Sequence, residues 1–567
     1  MGRSLLLLLL LWNLSTATAT PVVIDGSSVA AVTSSHFVCW NIDASANRGF
    51  FARDLDPTKP YGAQLARQAA AIGQAGGGGS HDSSVHSLLR FGGGGNDDLV
   101  YQVGGGDTAA TAAASCGADD GAPPRCLNTT WWSNLLHFTR AASARLIFGI
   151  CEPKWPGVNA TPPLWDATNA RAILAWTIAA GQDDLLYGLE LGNEVDGYYT
   201  GAQQAANLAV LQALTEELWP DASKRPLLLG PDAAHQQRLP NPHPTARDRC
   251  VSDDLHDECF LAFLLTRTTF SSTRCSTRYV TDFFRAAAAL GVPVHGATLH
   301  KYIEVTTARD TNATRLDETA DRFGQFKDEV LGGWAAAGVQ AQPPRLWGGE
   351  IGPHNGGSPP CNHSSMRWAT FADSLWYVDS MATAAKLSYE AYCRQDFIGA
   401  DYGLCDCETG VPLPDFWSAV LWTRLVGATV LAAAVPAGAT TGNADDLRLY
   451  AHCTPTAAAP AGSVTAIVLN LGRAPAAVDI STVAGGGSGN VSAFQLTPLS
   501  TPGLTPATGL NGTGVALNQK PLALHASGAV PDLLAQGTRH GSSSRLALPP
   551  TSISFFVLHD ARAAACL

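Results

Sequence analysis

Two short strings in this chain end on a carboxylate just where an apolar, strand-like run stops: Tyr187-Gly-Leu-Glu-Leu-Gly-Asn-Glu194 and Arg345-Leu-Trp-Gly-Gly-Glu350. The C-terminal end of a strand is where a (β/α)₈ barrel displays its reacting groups. Two carboxyl groups facing one cleft are the least equipment that cleaves a glycosidic bond, one as acid and the other as nucleophile or base. Asn193, immediately before Glu194, adds an amide able to hydrogen-bond the sugar hydroxyl beside the reacting carbon. Taken singly, either glutamate reads as well as a strand-end carboxylate paired with Arg or Lys; the two together point to hydrolysis. Glu190 lies earlier in the first string. Strand alternation puts it on the same side as Glu194 but farther down the strand, an inner-barrel polar residue.

Such groups need a scaffold, and the chain spells one out. Apolar runs at Ser87–Phe91, Arg145–Ile150, Leu185–Leu191, Pro226–Gly230, Val294–Leu299, Arg345–Trp347 and Asp396–Ile398 alternate with helix-like stretches. That rhythm means a parallel sheet with crossover helices. Leu208, Leu211, Leu214 and Leu218 repeat at helical spacing before Pro220 and read as core packing. Beyond residue 446 the runs become short and β-like and are separated by Gly, Pro and Ser, as an antiparallel sandwich requires. The β-rich segment Val22–Val32 supplies it with another strand.

Length and composition set the frame. At 567 residues the chain exceeds one ordinary domain. Met1-Gly-Arg3, an apolar run from Leu5 to Leu14 and Ala17-Thr-Ala19 predict a secretory signal over 1–19, too short to span a membrane. The predicted organisation is therefore a signal peptide at 1–19, N-terminal sandwich strands at 20–42, and a catalytic barrel at 43–435. A Cys-containing insertion at about 237–276 interrupts the barrel; a linker at 436–446 and the sandwich at 447–567 follow. Asn-x-Ser/Thr sequons at Asn128, Asn159, Asn312, Asn362, Asn490 and Asn511 and the thirteen cysteines fit a secreted glycoprotein, with the cell wall, extracellular matrix, vacuole or lysosome as destinations. A net charge of −12 argues against nucleic acid and against strong attraction to a dense polyanion. Any membrane contact is expected to be peripheral. Cys405-Asp-Cys407 and Cys361-Asn-His363 could be drawn as metal ligands, but in a secreted chain disulfides are the usual fate of such cysteines. No metal and no cofactor is expected, because the hydrolysis calls for neither.

Taken in order, the chain resembles the heparanase-like β-glucuronidases of glycoside hydrolase family 79, in their plant form rather than as an animal heparanase. The residues that carry the resemblance are Leu89-Arg-Phe-Gly-Gly93, Leu146-Ile-Phe-Gly149, Glu190-Leu-Gly-Asn-Glu194, Leu299-His-Lys-Tyr302, Trp347-Gly-Gly-Glu350, Gly399-Ala-Asp-Tyr402 and Leu413-Pro-Asp-Phe-Trp417. The tail adds Leu548-Pro-Pro, Phe555-Phe-Val557 and Ala563-Ala-Ala-Cys566. The resemblance implies a (β/α)₈ barrel joined to a β-sandwich built from both ends of the chain, an α/β fold, and a disulfide from Cys453 to Cys566. It casts Glu194 as general acid/base and Glu350 as nucleophile of a retaining mechanism, which needs their carboxyl groups about 5–5.5 Å apart. Glu194 must then hold its proton near working pH while Glu350 stays ionised. His300 and Tyr302 orient the nucleophile, and Asp43 accepts hydroxyls at the far end of the donor sugar. Gly356 and Gly357 offer backbone amides to the uronate carboxylate, with Tyr402 adding a hydroxyl; Gly92 and Gly93 line the floor. Lys301 and Asn355 depart from the residues usual in the family.

A heparan-cleaving site needs clustered Lys and Arg, and the sequence holds no long basic cluster. The expected substrate is a weakly charged glycan or glucuronide: glucuronosyl groups of arabinogalactan glycoproteins or small conjugates, removed from chain ends. Two rivals share the glutamate pair: another retaining barrel enzyme, a glucosidase or xylosidase, and a sugar-binding wall protein that no longer cleaves.

Overall fold

The computed structural model describes residues 19–44, 55–73, 87–103, 125–153, 163–234, 273–303, 313–354, 368–436, 446–481, 489–499, 509–541 and 544–567. The signal sequence, most of the 237–276 insertion, most of the 436–446 linker, and Asn355, Gly356 and Gly357 lie outside the described residues.

Eight parallel strands close into a barrel in chain order: Val38–Asp43, Ser87–Gly92, Ala144–Ile150, Leu186–Leu191, Leu227–Ala234, Val294–Tyr302, Arg345–Gly352 and Tyr389–Arg394. The first two are buried at every position. Helices cover the outer face and side chains fill the inner one, so such strands carry continuous apolar runs instead of alternating patterns. The helix Gly201–Leu218 turns Leu208, Leu211 and Leu214 inward, as their spacing predicts, and a capping box of Thr200 and Gln203 starts it. The eighth strand pairs with the first, Cys393 opposite Cys39, and these two cysteines form a disulfide across the barrel's closing seam.

Both ends of the chain build a nine-stranded antiparallel sheet that includes Val23–Val32, Thr429–Ala434, Leu447–Cys453, Val464–Asn470, Val491–Pro498 and Ser552–Leu558. Val464–Asn470 and Ser552–Leu558 are buried throughout because both faces of the sheet are covered. Ile467, Leu469, Phe555 and Val557 join the barrel's core. Their alternates Ala466, Val468, Phe556 and Leu558 pack with Val478, Leu546 and Leu548 of a three-stranded sheet formed by Thr20–Pro21, Ala476–Asp479 and Arg545–Leu548. The disulfide Cys453–Cys566 ties this sandwich to the end of the chain. Among the described residues, no helix is long and apolar enough to cross a membrane.

Three boundaries differ from the sequence expectation. Val38–Asp43, assigned with the sandwich segment 20–42, is the first barrel strand; burial on both faces removes the alternation that would have separated it from Val23–Val32. Thr429–Ala434, assigned to the barrel at 43–435, pairs with Val23–Val32 in the sandwich, its Ala-rich sequence carrying little strand signal. Asp396–Ile398 is not a strand. The eighth strand is Tyr389–Arg394, which follows the helix Phe371–Lys386 after two residues with no Gly or Pro to mark its start.

Candidate active site

The fourth strand ends at Leu191, and the chain then turns sharply: Gly192 has φ 73° and Glu194 φ 53°, both left-handed. A side chain at Gly192 would stand 2.6 Å from Glu152 Oε2, so this turn needs glycine for space as well as for conformation. Glu194 is uncommon in such a backbone, and neighbouring strands hold it there. Its N–H donates to Asp232 O at 2.9 Å, and the N–H of Asn193 donates to Asp97 Oδ1 at 3.1 Å. Glu194 is thus past the strand, and simple alternation with Glu190 does not set its direction.

Glu350 belongs to the seventh strand and is buried. Its Oε2 accepts from Arg90 Nη1 at 2.9 Å and its Oε1 from the hydroxyl of Tyr302. Burial raises the carboxyl above its ordinary pKa, and Glu194 and Asp43 add to this; His300 and Arg90 pull the other way. Hydrogen bonds to both oxygens are the arrangement of an ionised carboxylate. Carboxyl oxygens of Glu194 and Glu350 and a ring nitrogen of His300 all lie within 4.8 Å of one another.

His300 is fully buried between acids: Nε2 is 2.5 Å from Asp232 Oδ1 and Nδ1 is 3.2 Å from Glu194 Oε1. Burial works against its charge, but Asp232 and Glu350 outweigh it and hold the imidazolium well above the usual pKa, Arg90 opposing. For Asp232, burial favours the neutral form, yet Arg90 and His300 keep its carboxyl below the ordinary range. A His with both ring nitrogens facing carboxylates and a guanidinium at 2.9 Å from Glu350 make this trio a poor cation site.

Arg90 is the hub beneath. Its residue is 1% exposed, and it bonds Glu190 Oε2 at 2.6 Å, Asp232 Oδ2 at 2.8 Å, Glu350 Oε2 at 2.9 Å and Asn193 Oδ1 at 3.3 Å. Glu190 is therefore a partner of Arg90 within the barrel; burial raises its carboxyl to about 7, with Arg90 opposing. A Cβ at Gly92 would meet this guanidinium at 2.9 Å, and one at Gly93, φ 99°, would stand 2.5 Å from the Asp43 carboxyl. The glycine pair is what lets Arg90 and Asp43 occupy the barrel mouth. Asp43 ends the first strand and accepts from Gln395 Nε2 at 2.7 Å. Tyr402 is buried, its hydroxyl pKa raised by burial first and then by Asp396, Asp43 and Glu350.

Asn193, Glu194, His300, Tyr302, Glu350, Asp43 and Tyr402 are thus brought to one end of the barrel. Sequence reasoning gave no role to Arg90 or Asp232, although each carried a signal. Arg90 is a charge inside an apolar strand, which demands buried partners, and Asp232 follows Leu227-Leu-Leu-Gly-Pro231 as Glu350 follows its own run. Of the sequon residues, Asn128 caps the helix Thr129–Ala141, accepting from Trp131 N at 2.9 Å. Asn490 is half-buried and Asn511 exposed; Asn159, Asn312 and Asn362 lie outside the described residues. Cys407 is disulfide-bonded, as expected of the Cys405-Asp-Cys407 pair, whereas Cys405 is a buried free thiol.

Comparison with known proteins points the same way. Residues 82–240 match the family described as Glycosyl hydrolase family 79, N-terminal domain. Heparanase-like protein 2 of Arabidopsis thaliana is 26% identical over 481 residues, covering 78% of this chain and 76% of the relative. Baicalin-beta-D-glucuronidase of Scutellaria baicalensis is 24% identical over 455 residues, 76% of this chain and 72% of the relative. Among solved structures, a 4-O-alpha-L-rhamnosyl-beta-D-glucuronidase from Fusarium oxysporum 12S superposes with a TM-score of 0.56 over 96% of this chain and 99% of its own; at 14% identity the likeness is one of fold. Its closed parallel barrel, its sandwich and its paired glutamates at the strand ends agree with these likenesses: the chain is a glycoside hydrolase, similar to the heparanase-like proteins of family 79.

Proposed function

We propose that this glycoside hydrolase is a secreted, retaining β-glucuronidase that removes β-linked glucuronosyl groups from arabinogalactan-type glycans or from small glucuronides. The observation that carries the reading is the approach of the Glu194 and Glu350 carboxyl oxygens to within 4.8 Å. That suits a nucleophile and an acid on either side of one anomeric carbon, and supports retention over the wider spacing of an inverting enzyme. In the first step Glu350 Oε attacks the anomeric carbon as its bond to the leaving oxygen breaks, and Glu194 gives that oxygen its proton. In the second, Glu194 takes a proton from water, whose oxygen attacks the same carbon and releases Glu350. Arg90 and Tyr302 hold Glu350 on line, and Asn193, fixed through Asp97 and Arg90, meets the adjacent hydroxyl.

The name of the Scutellaria baicalensis relative supports a glucuronide, and the site's charges support a weakly charged one. Among the described residues, the buried guanidiniums of Arg90 and Arg394 are both engaged by buried carboxylates and so are withheld from sulfate groups. Gly356, Gly357 and Tyr402 are the proposed uronate contacts. Disulfides at Cys39–Cys393 and Cys453–Cys566 support an oxidising, extracytoplasmic compartment. The test is turnover of an aryl β-glucuronide by wild type, Glu194→Gln and Glu350→Gln, with product stereochemistry read by NMR and an aryl β-glucoside and heparan sulfate alongside. The β anomer should be released first and Glu350→Gln should be inactive. A first-formed α anomer, or equal turnover of the glucoside or of heparan sulfate, would reject this assignment.

A further inference from the structure

A second buried guanidinium stands two strands away from Arg90, on the far side of the first strand. Arg394 closes the eighth strand with no exposure, although nothing in the mechanism above uses it. Its Nη2 bonds Asp373 Oδ2 and Asp415 Oδ2, each at 2.7 Å, and its Nε reaches the same Asp415 oxygen at 3.0 Å. Asp373 opens the helix Phe371–Lys386 and Asp415 the helix Pro414–Leu425. The rings of Trp376, Tyr377 and Tyr402 lie 5.6, 5.5 and 6.0 Å from the guanidinium carbon.

Two contacts lead away from this anchor into the sugar site. Arg394 Nη1 donates to the carbonyl of Gln395, and Nη2 donates to the carbonyl of Tyr402 at 3.1 Å. Gln395 is the residue whose amide holds Asp43, and Tyr402 lies close enough to Asp43 and Glu350 to feel both charges. One planar, five-donor group thus fixes the backbone at both ends of the segment 395–402, while two helices fix the group. Lysine could not reproduce this, being a single point of charge.

We propose that Arg394 is the positioning residue of the donor-sugar pocket, holding Gln395 and Tyr402 in register with Asp43 so that the uronate ring is bound in its reactive place. The inference rests on the reading of the donor as a glucuronosyl group. If Arg394 served only to fasten two helices, its loss would lower the folded fraction, and with it kcat, while the affinity of correctly folded molecules stayed the same.

The experiment compares wild type, Arg394→Lys, Asp415→Asn, Tyr402→Phe and the double variant Arg394→Lys/Tyr402→Phe. It measures kcat and KM for an aryl β-glucuronide, Ki for free glucuronate, and melting temperature. Arg394→Lys should raise KM and Ki about tenfold with kcat within about threefold, and the loss in the double variant should fall short of the product of the two single losses, since part of the effect of Arg394 runs through Tyr402. Should Arg394→Lys fail to fold, the same constants for Asp415→Asn, which takes the charge away from the acceptor of two of the guanidinium's bonds, decide the matter. KM and Ki unchanged in the folded variant, or losses that multiply in the double variant, would overturn the proposal. A wild type inert toward glucuronides would instead refute the substrate reading on which it stands.

Discussion

His300 Nε2 lies 2.5 Å from Asp232 Oδ1, while the other nitrogen of the same ring lies 3.2 Å from Glu194 Oε1. Asp232 therefore sets the state of a ring that touches the acid/base glutamate, from the far side and out of contact with substrate. In Asp232→Asn the chief support for the imidazolium is gone, and burial, which disfavours its charge, prevails. His300 should then lose its proton at lower pH. The alkaline limb of the kcat profile should shift to lower pH, and kcat at its optimum should fall about 10–100-fold. A pH–rate profile of the folded variant that overlays that of wild type would remove Asp232 from the mechanism.

Arg90 supports both stability and the site, and its two contributions can be separated. Replacing it by Met leaves Glu190 buried without its cation and takes one donor each from Asp232 and Glu350, which should cost about 3–5 kcal/mol. Adding Glu190→Gln removes the stranded acid and should restore part of that loss. Activity should not return with it, because Glu350 has still lost a donor. Urea denaturation and turnover on the single and double variants check this. Equal stability of the two would show that Glu190 is solvated and not dependent on Arg90.

The Cys39–Cys393 disulfide joins residues 354 apart in sequence, at the seam where the barrel's last strand meets its first. Closing so long a loop stabilises by about 5–6 kcal/mol in the chain-entropy model, against about 4–5 for Cys453–Cys566. The double variant Cys39→Ala/Cys393→Ala should therefore lower the midpoint of barrel unfolding by more than Cys453→Ala/Cys566→Ala lowers that of the sandwich. Calorimetry on the two double variants reads this directly, and the reverse order would mean that the seam is held by its strand pairing alone.

What could be read from the sequence followed the strength of local pattern. Glu194 and Glu350 were legible because each ends an apolar run, and the sandwich because turns punctuate it. The two strands at the seam were not. Val38–Asp43 is buried on both faces and so shows no alternation, and Tyr389–Arg394 mixes charge with aromatics because its polar ends serve Arg345, Trp347 and the acids around Arg394. The same reason hid the network. Arg90, Glu190, Asp232 and Arg394 come from strands far apart in sequence, and only barrel closure sets their charges against one another. Half of a disulfide carries no information about its partner, which is why Cys39 and Cys393 could not be matched before the seam was known.

Asp396 offers a pH-dependent test of the same region. Burial, with Asp43 adding to it, raises its carboxyl from 3.8 to about 8, so the folded protein keeps a proton there that the unfolded chain gives up. Between those values the folded state binds more protons than the unfolded one, and stability must fall as pH rises. Full stabilisation is present below about pH 4 and is lost by about pH 8, on the order of 5 kcal/mol for this group alone. Asn resembles the protonated acid and keeps an oxygen for the Ala400 N–H. In Asp396→Asn, unfolding free energies from urea titrations at pH 5, 6, 7 and 8 should thus decline less steeply than in wild type, with the variant the more stable of the two at pH 8. Parallel slopes would mean that Asp396 is already ionised in the folded protein, with Arg394 and the Ala400 amide carrying its charge.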